Sequence, residues 1–187
     1  MQTTPVIQQY LEIKASHQDS LLFFRMGDFY ELFFSDAEIA SAALNIILTR
    51  RGQHNGKDIP MCGVPFHSAE GYIKTLLDKN MKVAICEQLE TPKEAKKRGY
   101  KEIVKRDVVR IITPGTKLEE SFLVQKENNI LMALFFFDNS WASCWIDIST
   151  GLFKSTISNE SHLLSLIDQI SPKETISYAN IKELAIL

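Results

Sequence analysis

At 187 residues, 45% hydrophobic and 24% charged, the chain has the composition of one globular domain, or of a domain with part of a second, and not of a disordered segment. The formal net charge of -2 neither demands nor excludes a nucleic-acid partner. The charge is unevenly spread, with 16 Lys/Arg against 14 Asp/Glu in residues 1–115 and 5 against 9 in residues 116–187, which points to two units with different partners.

In chain order the pattern predicts mixed helix and strand. "TTPVIQQYLEIKASH" opens a helix, with Thr4 as cap, Pro5 in the first turn and Val6, Tyr10 and Ile13 on one face. "SLLFFRM" reads as a short buried strand. "DFYELFFSDAEIASAAL" reads as a helix capped by Asp28, with Glu31 at the capping-box position. "IILTR" is a strand, and the polar "RGQHNGKD" is a loop joining it to "IPMCGVP". Ser68 starts a helix through "AEGYIKTLLDKN". "KVAICEQL" and "VKRDVVRIIT" are strands. Pro114-Gly115 marks a turn, and the expected division is 1–115 and 116–187. Beyond it, "NILMALFFFD", "WASCWIDI" and "GLFKSTI" form a hairpin meander, "ESHLLSLIDQI" a helix and "ETISYA" a strand. "NIKELAIL" begins an element that stops short, so the second unit reads as unfinished.

Most catalytic signatures fail on spacing. "GQHNGKD" has three residues between its glycines where a phosphate-binding Walker loop needs four, and Asp58 where a magnesium-binding Ser or Thr should stand. His17, His54, His67 and His162 show no metal-ligand spacing, and no GxSxG elbow occurs. Asp138 and Asp147 lie at strand ends, where a metal-dependent nuclease is conceivable and turn residues are the ordinary reading. Cys62, Cys86 and Cys144 form no CxxC pair and read as buried small hydrophobes, not as a zinc or disulfide framework. No basic segment followed by an apolar run suggests a signal peptide, and "LMALFFFD" is too short to span a bilayer.

Two features point to nucleic acid. Residues 93–110 carry 8 Lys/Arg and 3 Asp/Glu, with Lys96, Lys97 and Arg98 together before Gly99 in what reads as an exposed loop. Such a patch binds a phosphate backbone by releasing counterions; a solvated face is the alternative. Arg50 and Arg51 form a second basic pair. The other feature is "RMGDFYELF". Either Glu31 caps a helix and Phe29 packs into the core, or Phe29 projects as a wedge. An apolar wedge unstacks a base step, at least cost where pairing is faulty, and a neighbouring carboxylate can accept a hydrogen bond from a displaced base. That carboxylate repels phosphates wherever it finds no such bond.

"TPVIQQYLEIKASH", "LLFFRMGDFYELFFSDAEIAS", "LTRRG", "IPMCGVPFHSAEGYI", "VAICEQLE" and "VVRIITPGT" together resemble, in the same order, the amino-terminal region of the MutS family of DNA mismatch repair proteins. The resemblance covers essentially the whole chain and thins after about residue 120. It implies an α+β (α/β) mixed sheet flanked by helices over 1–115, the mismatch-recognition domain. A partial, ribonuclease-H-like connector domain over 116–187 would follow, without nuclease activity. It implies that Phe29 stacks on the mispaired base, Glu31 hydrogen-bonds it, and Tyr30 supports them. Arg51, Lys96, Lys97 and Arg98 are the candidate phosphate contacts. The implied partner is double-stranded DNA with mismatches or small loops. In the full-length family protein a homodimer, and a downstream repair factor on the connector, are also implied. ATP and magnesium belong to the ATPase domain of that longer protein, so no cofactor and no enzymatic activity is expected here. The expected setting is the bacterial cytoplasm, close to the nucleoid, with no membrane partner. Glu31 cannot cap a helix and read a base at once, so it is expected to be free or loosely held without DNA.

Overall fold

The computed structural model describes residues 4–99, 102–117 and 128–178. The chain divides into two compact units, Met1–Ile112 and Thr113–Leu187.

The first unit begins with helix α1 (Pro5–Ala15), whose N-cap Thr4 accepts from the Ile7 amide through its side chain. Its buried side is Ile7 and Tyr10, with Val6 and Ile13 partly buried beside them. Strand β1 (Ser20–Met26) turns back at Gly27-Asp28 into strand β2 (Phe29–Phe33). Met26 pairs with Phe29, so the loop is two residues long. Gly27 has φ +61, the positive angle that such a tight hairpin requires at its first central residue.

The segment expected to be helical from Asp28 is therefore a strand as far as Phe33, and no capping box forms at Glu31. Helix α2 (Phe34–Leu44) starts only at Phe34, with no side-chain cap. The reason is lateral. β2 is paired antiparallel on one side with β1 and on the other with β4, which gives its backbone a partner on both edges. Phe and Tyr suit a pleated, half-buried surface. The switch from strand to helix is abrupt: Phe34 sits at φ +54, a left-handed angle costing an ordinary side chain roughly 1–2 kcal/mol.

Strand β3 (Thr49–His54) and strand β4 (Lys57–Pro65) form a hairpin around Asn55-Gly56, with φ +50 and +77. The expected polar loop is thus mostly strand. Conversely, Ile46–Leu48 lie outside any strand, because pairing begins only where Thr49 meets Met61. A short 3-10 turn (Phe66–Ser68) leads into helix α3 (Ala69–Asp78), then strand β5 (Lys82–Gln88). Helix α4 (Pro92–Arg98) replaces the expected exposed loop. Thr91 and Glu94 close a capping box on it, and Pro92 occupies the first turn. Strand β6 (Arg106–Ile112) completes a mixed six-stranded sheet in the order β3-β4-β2-β1-β5-β6. β1 and β5 run parallel; the other neighbours are antiparallel.

Alternation along β1 sends Leu22 and Phe24 to one face and Leu21 and Phe23 to the other. All four are buried, so this central strand is covered on both faces. On one face Leu22, Phe24, Phe33, Ile59, Ala84 and Cys86 meet Ile7 and Tyr10 of α1. Into this core goes one carboxylate. Asp36 accepts from the Tyr10 hydroxyl at 3.2 Å and the Leu22 amide at 2.9 Å, and pairs with Lys14 at 2.9 Å. Burial, and next the Asp36 charge, push the Tyr10 phenol far above its ordinary pKa, so it remains a donor.

The second unit has strands β7 (Ile130–Phe137), β8 (Ser140–Asp147), β9 (Leu152–Ser158) and β10 (Glu174–Ser177), and helix α5 (Glu160–Ile170). β10 joins β7 in parallel, giving the order β10-β7-β8-β9. α5 buries Leu163 against Met132 and Leu134. The turn Pro114–Thr116 belongs to this unit: the Gly115 amide donates to Glu174 at 3.0 Å. "NIKELAIL" lies outside the described residues. Both units are α+β with mixed sheets.

Removing the buried carboxylate would leave the Leu22 amide without its acceptor and Lys14 without its counter-ion, while Lys14 keeps the Ser20 carbonyl at 2.6 Å and the Tyr10 hydroxyl keeps the Phe33 carbonyl at 3.2 Å. Asp36→Ala is expected to lower unfolding free energy by about 3 kcal/mol, and Asp36→Asn by less. Urea unfolding followed by circular dichroism measures both.

Candidate nucleic-acid interface

In β2 the pleat decides which side chains are free. Tyr30 and Leu32 point to one face and are buried; Phe29, Glu31 and Phe33 point to the other. Phe33 lies under α1, in contact with Tyr10 at a ring separation of 5.1 Å. Toward the β1–β2 turn this face opens. Phe29, at the hairpin end, is 46% exposed. The reading of "RMGDFYELF" that packs Phe29 into the core is corrected: the aromatic buried on this face is Phe33, and Phe29 is exposed.

The presenting turn is clamped. The Arg25 Nε donates to the Gly27 carbonyl at 2.5 Å. Its guanidinium lies 3.6 Å from the Phe66 ring centroid and 5.4 Å from that of Tyr30, and approaches Glu87 at 3.7 Å. The Phe66 amide donates to the Asp28 carbonyl at 2.9 Å, tying the turn to the end of β4. Tyr30 fixes the buried side of β2, with its hydroxyl bonded to Glu87 and its ring 5.8 Å from Phe23. Burial, and next the Glu87 bond, raise the Tyr30 phenol to about 12.

Glu31 is not free. Arg51 Nη1 donates to both of its carboxylate oxygens, at 2.6 and 2.7 Å. The expectation of a loosely held carboxylate is corrected: β2 directs Glu31 onto the same face that Arg51 reaches from the edge strand. Opposite Glu31 in the ladder stands Gly63, which is exposed. A Cβ there would come within 3.6 Å of Glu31 Cγ and 3.3 Å of the Tyr30 carbonyl, so glycine keeps the sheet bare beside the carboxylate. Next to this patch a cleft of about 280 Å³ is lined by Val6, Ile7, Met26, Phe33, Arg51 and Ile59, among others.

The basic segment divides. Lys96 and Lys97 are exposed on α4. Arg98 bonds Glu90 through Nε at 3.1 Å and through Nη2, Glu102 at 2.9 Å and the Ile103 carbonyl at 2.9 Å. These contacts close the chain after α4. Hydrogen bonding from Arg98 holds the Glu90 carboxyl below its ordinary pKa. Tyr100 and Lys101 lie outside the described residues.

Asp138 and Asp147 are not brought together. Asp138 is in the β7–β8 turn, whereas Asp147 ends β8 opposite Ile130 at the far end of that hairpin. Asp147 accepts from Ser149 and from the Asn129 amide, and the Ser149 bond lowers its pKa. Among the described residues no group of three His, Cys, Asp or Glu side chains could hold a metal ion, and no helix is long and apolar enough to cross a membrane. Cys62 and Cys86 are buried thiols, raised by burial to about 11 and about 12; Cys144 is half-buried.

The sheet and its presented strand define an α+β domain that offers an aromatic ring and a paired carboxylate from one open face. Residues 4–121 match the family described as MutS domain I, and the chain belongs to that family. It is 54% identical over 173 residues to the DNA mismatch repair protein MutS of Wolbachia pipientis wMel, covering 92% of this chain and 20% of that protein. It is 55% identical over 177 residues to the protein of the same name from Rhizobium meliloti (strain 1021), covering 92% and 19%. The chain thus spans about a fifth of the length of the curated relatives it matches.

Because the Tyr30 phenol titrates higher in the fold than in an unfolded chain, its contribution is complete below about pH 10, where even the unfolded phenol is protonated, and fades as pH rises toward about 12. Tyr30→Phe is expected to flatten the fall of stability between those values, by up to one proton's worth of slope. Urea midpoints measured at a series of alkaline pH values test it.

Proposed function

We propose that this chain is the mismatch-sensing DNA-binding module of a DNA mismatch repair protein. Phe29 enters a weakened base step from the minor groove and stacks on the mispaired base. Glu31 accepts a hydrogen bond from that base. The observation that carries this reading is the placement of both side chains on one open face of β2, with Phe29 at an outward, clamped hairpin end. Membership of the MutS domain I family supports it. A wedge senses weakness in the stack: unstacking costs a few kcal/mol in sound duplex and less where pairing is faulty. Arg51, Lys96 and Lys97 supply phosphate contacts, and Arg98 contributes charge from within its ion pairs. So few contacts favour weak, salt-sensitive binding by the chain alone.

The division of labour with the rest of a longer protein follows. The unit up to Ile112, three residues short of the expected boundary at 115, acts as the recognition domain, and the unit from Thr113 as the beginning of a ribonuclease-H-like connector. ATP hydrolysis with magnesium, dimer formation and the docking of a downstream repair factor belong to such a longer protein, working in the bacterial cytoplasm near the nucleoid. This segment itself binds and does not catalyse. One observation favours a second role, in protein interaction: Phe135, Phe137, Phe153 and Ile157 are exposed on the sheet of the second unit.

In a full-length protein bearing this segment, Phe29→Ala is expected to weaken mismatched-duplex binding by about 1–3 kcal/mol, roughly five- to 150-fold, with little effect on matched duplex. Glu31→Ala is expected to tighten matched-duplex binding, by removing a negative charge and releasing Arg51, and to lose discrimination. Fluorescence anisotropy on both duplexes reads both effects. Undiminished discrimination in Phe29→Ala would exclude the wedge.

A further inference from the structure

We propose that Arg51 is a specificity-determining residue, holding the Glu31 carboxylate closed until a displaced base and a phosphate are offered together. This rests on the reading of Phe29 and Glu31 given above. Glu31 is the more buried partner, with its side chain 13% exposed against 52% for Arg51. At that exposure water replaces the Arg51 donor only in part, so releasing Glu31 without another donor is costly.

The two cations near Glu31 differ in freedom. Arg106, whose guanidinium pKa is lowered by burial and pulled back partly by Cys86 and, less, by Glu31, is anchored. Its Nε donates to the Arg25 carbonyl at 2.6 Å, and its Nη1 to Gln9 at 3.1 Å and to the Val104 carbonyl at 2.9 Å. The guanidinium also lies 5.0 Å from the Phe24 ring centroid. Arg51 stands instead on the edge strand β3, at a register shift between Arg50 and Gln53 where Gly52 adopts φ +71. A bulge of this kind re-aims a side chain and leaves its backbone outside the regular ladder. The neighbouring Arg50 is directed elsewhere, to Asp58 at 3.4 Å. Arg51 is therefore the partner that can leave, while Arg106 stays to hold positive potential around the carboxylate.

The exchange is conditional. Matched duplex offers Arg51 a phosphate but offers Glu31 no donor, so the pair stays closed. A mispaired, displaced base offers Glu31 a donor, and Arg51 then moves to phosphate. One phosphate contact is thus gained on mismatched DNA alone.

Counterion release makes that contact countable, since each neutralised phosphate adds about 0.9 to the slope of log affinity against log salt. Binding of a full-length protein bearing this segment is measured over a sodium chloride series, on matched and single-mismatch duplexes of equal length. For the wild type the mismatched slope is expected to be steeper by about 0.9. Arg51→Gln should abolish that difference and Arg51→Lys should retain it. Glu31→Gln, which opens the pair on any DNA, should bring both slopes to the steeper value. Equal wild-type slopes would overturn the proposal. So would an Arg51→Gln protein whose two slopes fall together with their difference intact, the mark of an unconditional phosphate contact. Phe29→Ala in the same series separates the two levels: unimpaired discrimination there removes the base-reading role, whatever Arg51 does.

Discussion

The geometry of the open β2 face depends on one buried carboxylate. Asp36 joins Tyr10 and Lys14 of α1 to the backbone of β1 at Leu22, and does so from the first turn of α2. The Tyr10 hydroxyl also bonds the Phe33 carbonyl at 3.2 Å, the last residue of β2. Together these contacts fix where β2 stops, and they hold the left-handed step at Phe34 that no glycine is present to ease. Since side chains alternate with a period of two, the end of β2 determines the face of every residue before it. Phe33 inside puts Glu31 and Phe29 on the same face, and one residue of slip would bury both and expose Tyr30.

From that constraint the site follows in two tiers. The buried tier is rigid: Tyr30 on Glu87, Phe23 beside Tyr30, and Arg25 laid across Phe66 and bonded to Gly27. It presents Phe29 without covering it. The open tier holds Glu31, its ion-pair partner Arg51 on the edge strand, and the bare backbone at Gly63. Under the proposed function, Phe29 is the wedge held in advance and the Glu31–Arg51 pair the charge that responds to what it meets.

Much of the fold was legible in the sequence. Apolar runs marked β1, β4, β5 and the meander, while Thr4-Pro5 marked the start of α1. The family resemblance singled out Phe29 and Glu31 as candidates, which the fold places on one face of β2. What failed did so where local chemistry and lateral pairing disagree. Asp28 and Glu31 have the spacing of a capping box, but pairing with β1 and β4 claims that backbone for a strand. Thr91 and Glu94 do make such a box, in a segment taken for loop because its charge was more conspicuous than its capping. The Arg51–Glu31 pair was not legible because it spans 20 residues and depends on a bulge. Gly63 and Arg25 could have been found only by writing out the sheet register: Gly63 faces Glu31 across the ladder, and Arg25 stands beside the turn it clamps.

The central claim is that β2 presents Phe29 and Glu31 to one base from one strand face. A crystal structure of a full-length protein bearing this segment, bound to a duplex with a single mismatch, tests it most directly. The account predicts the Phe29 ring stacked on the mispaired base, the Glu31 carboxylate within hydrogen-bond distance of the same base, and residues 29–33 still in strand. A Phe29 ring turned away from the duplex, or a mispaired base contacted from another element, would contradict it.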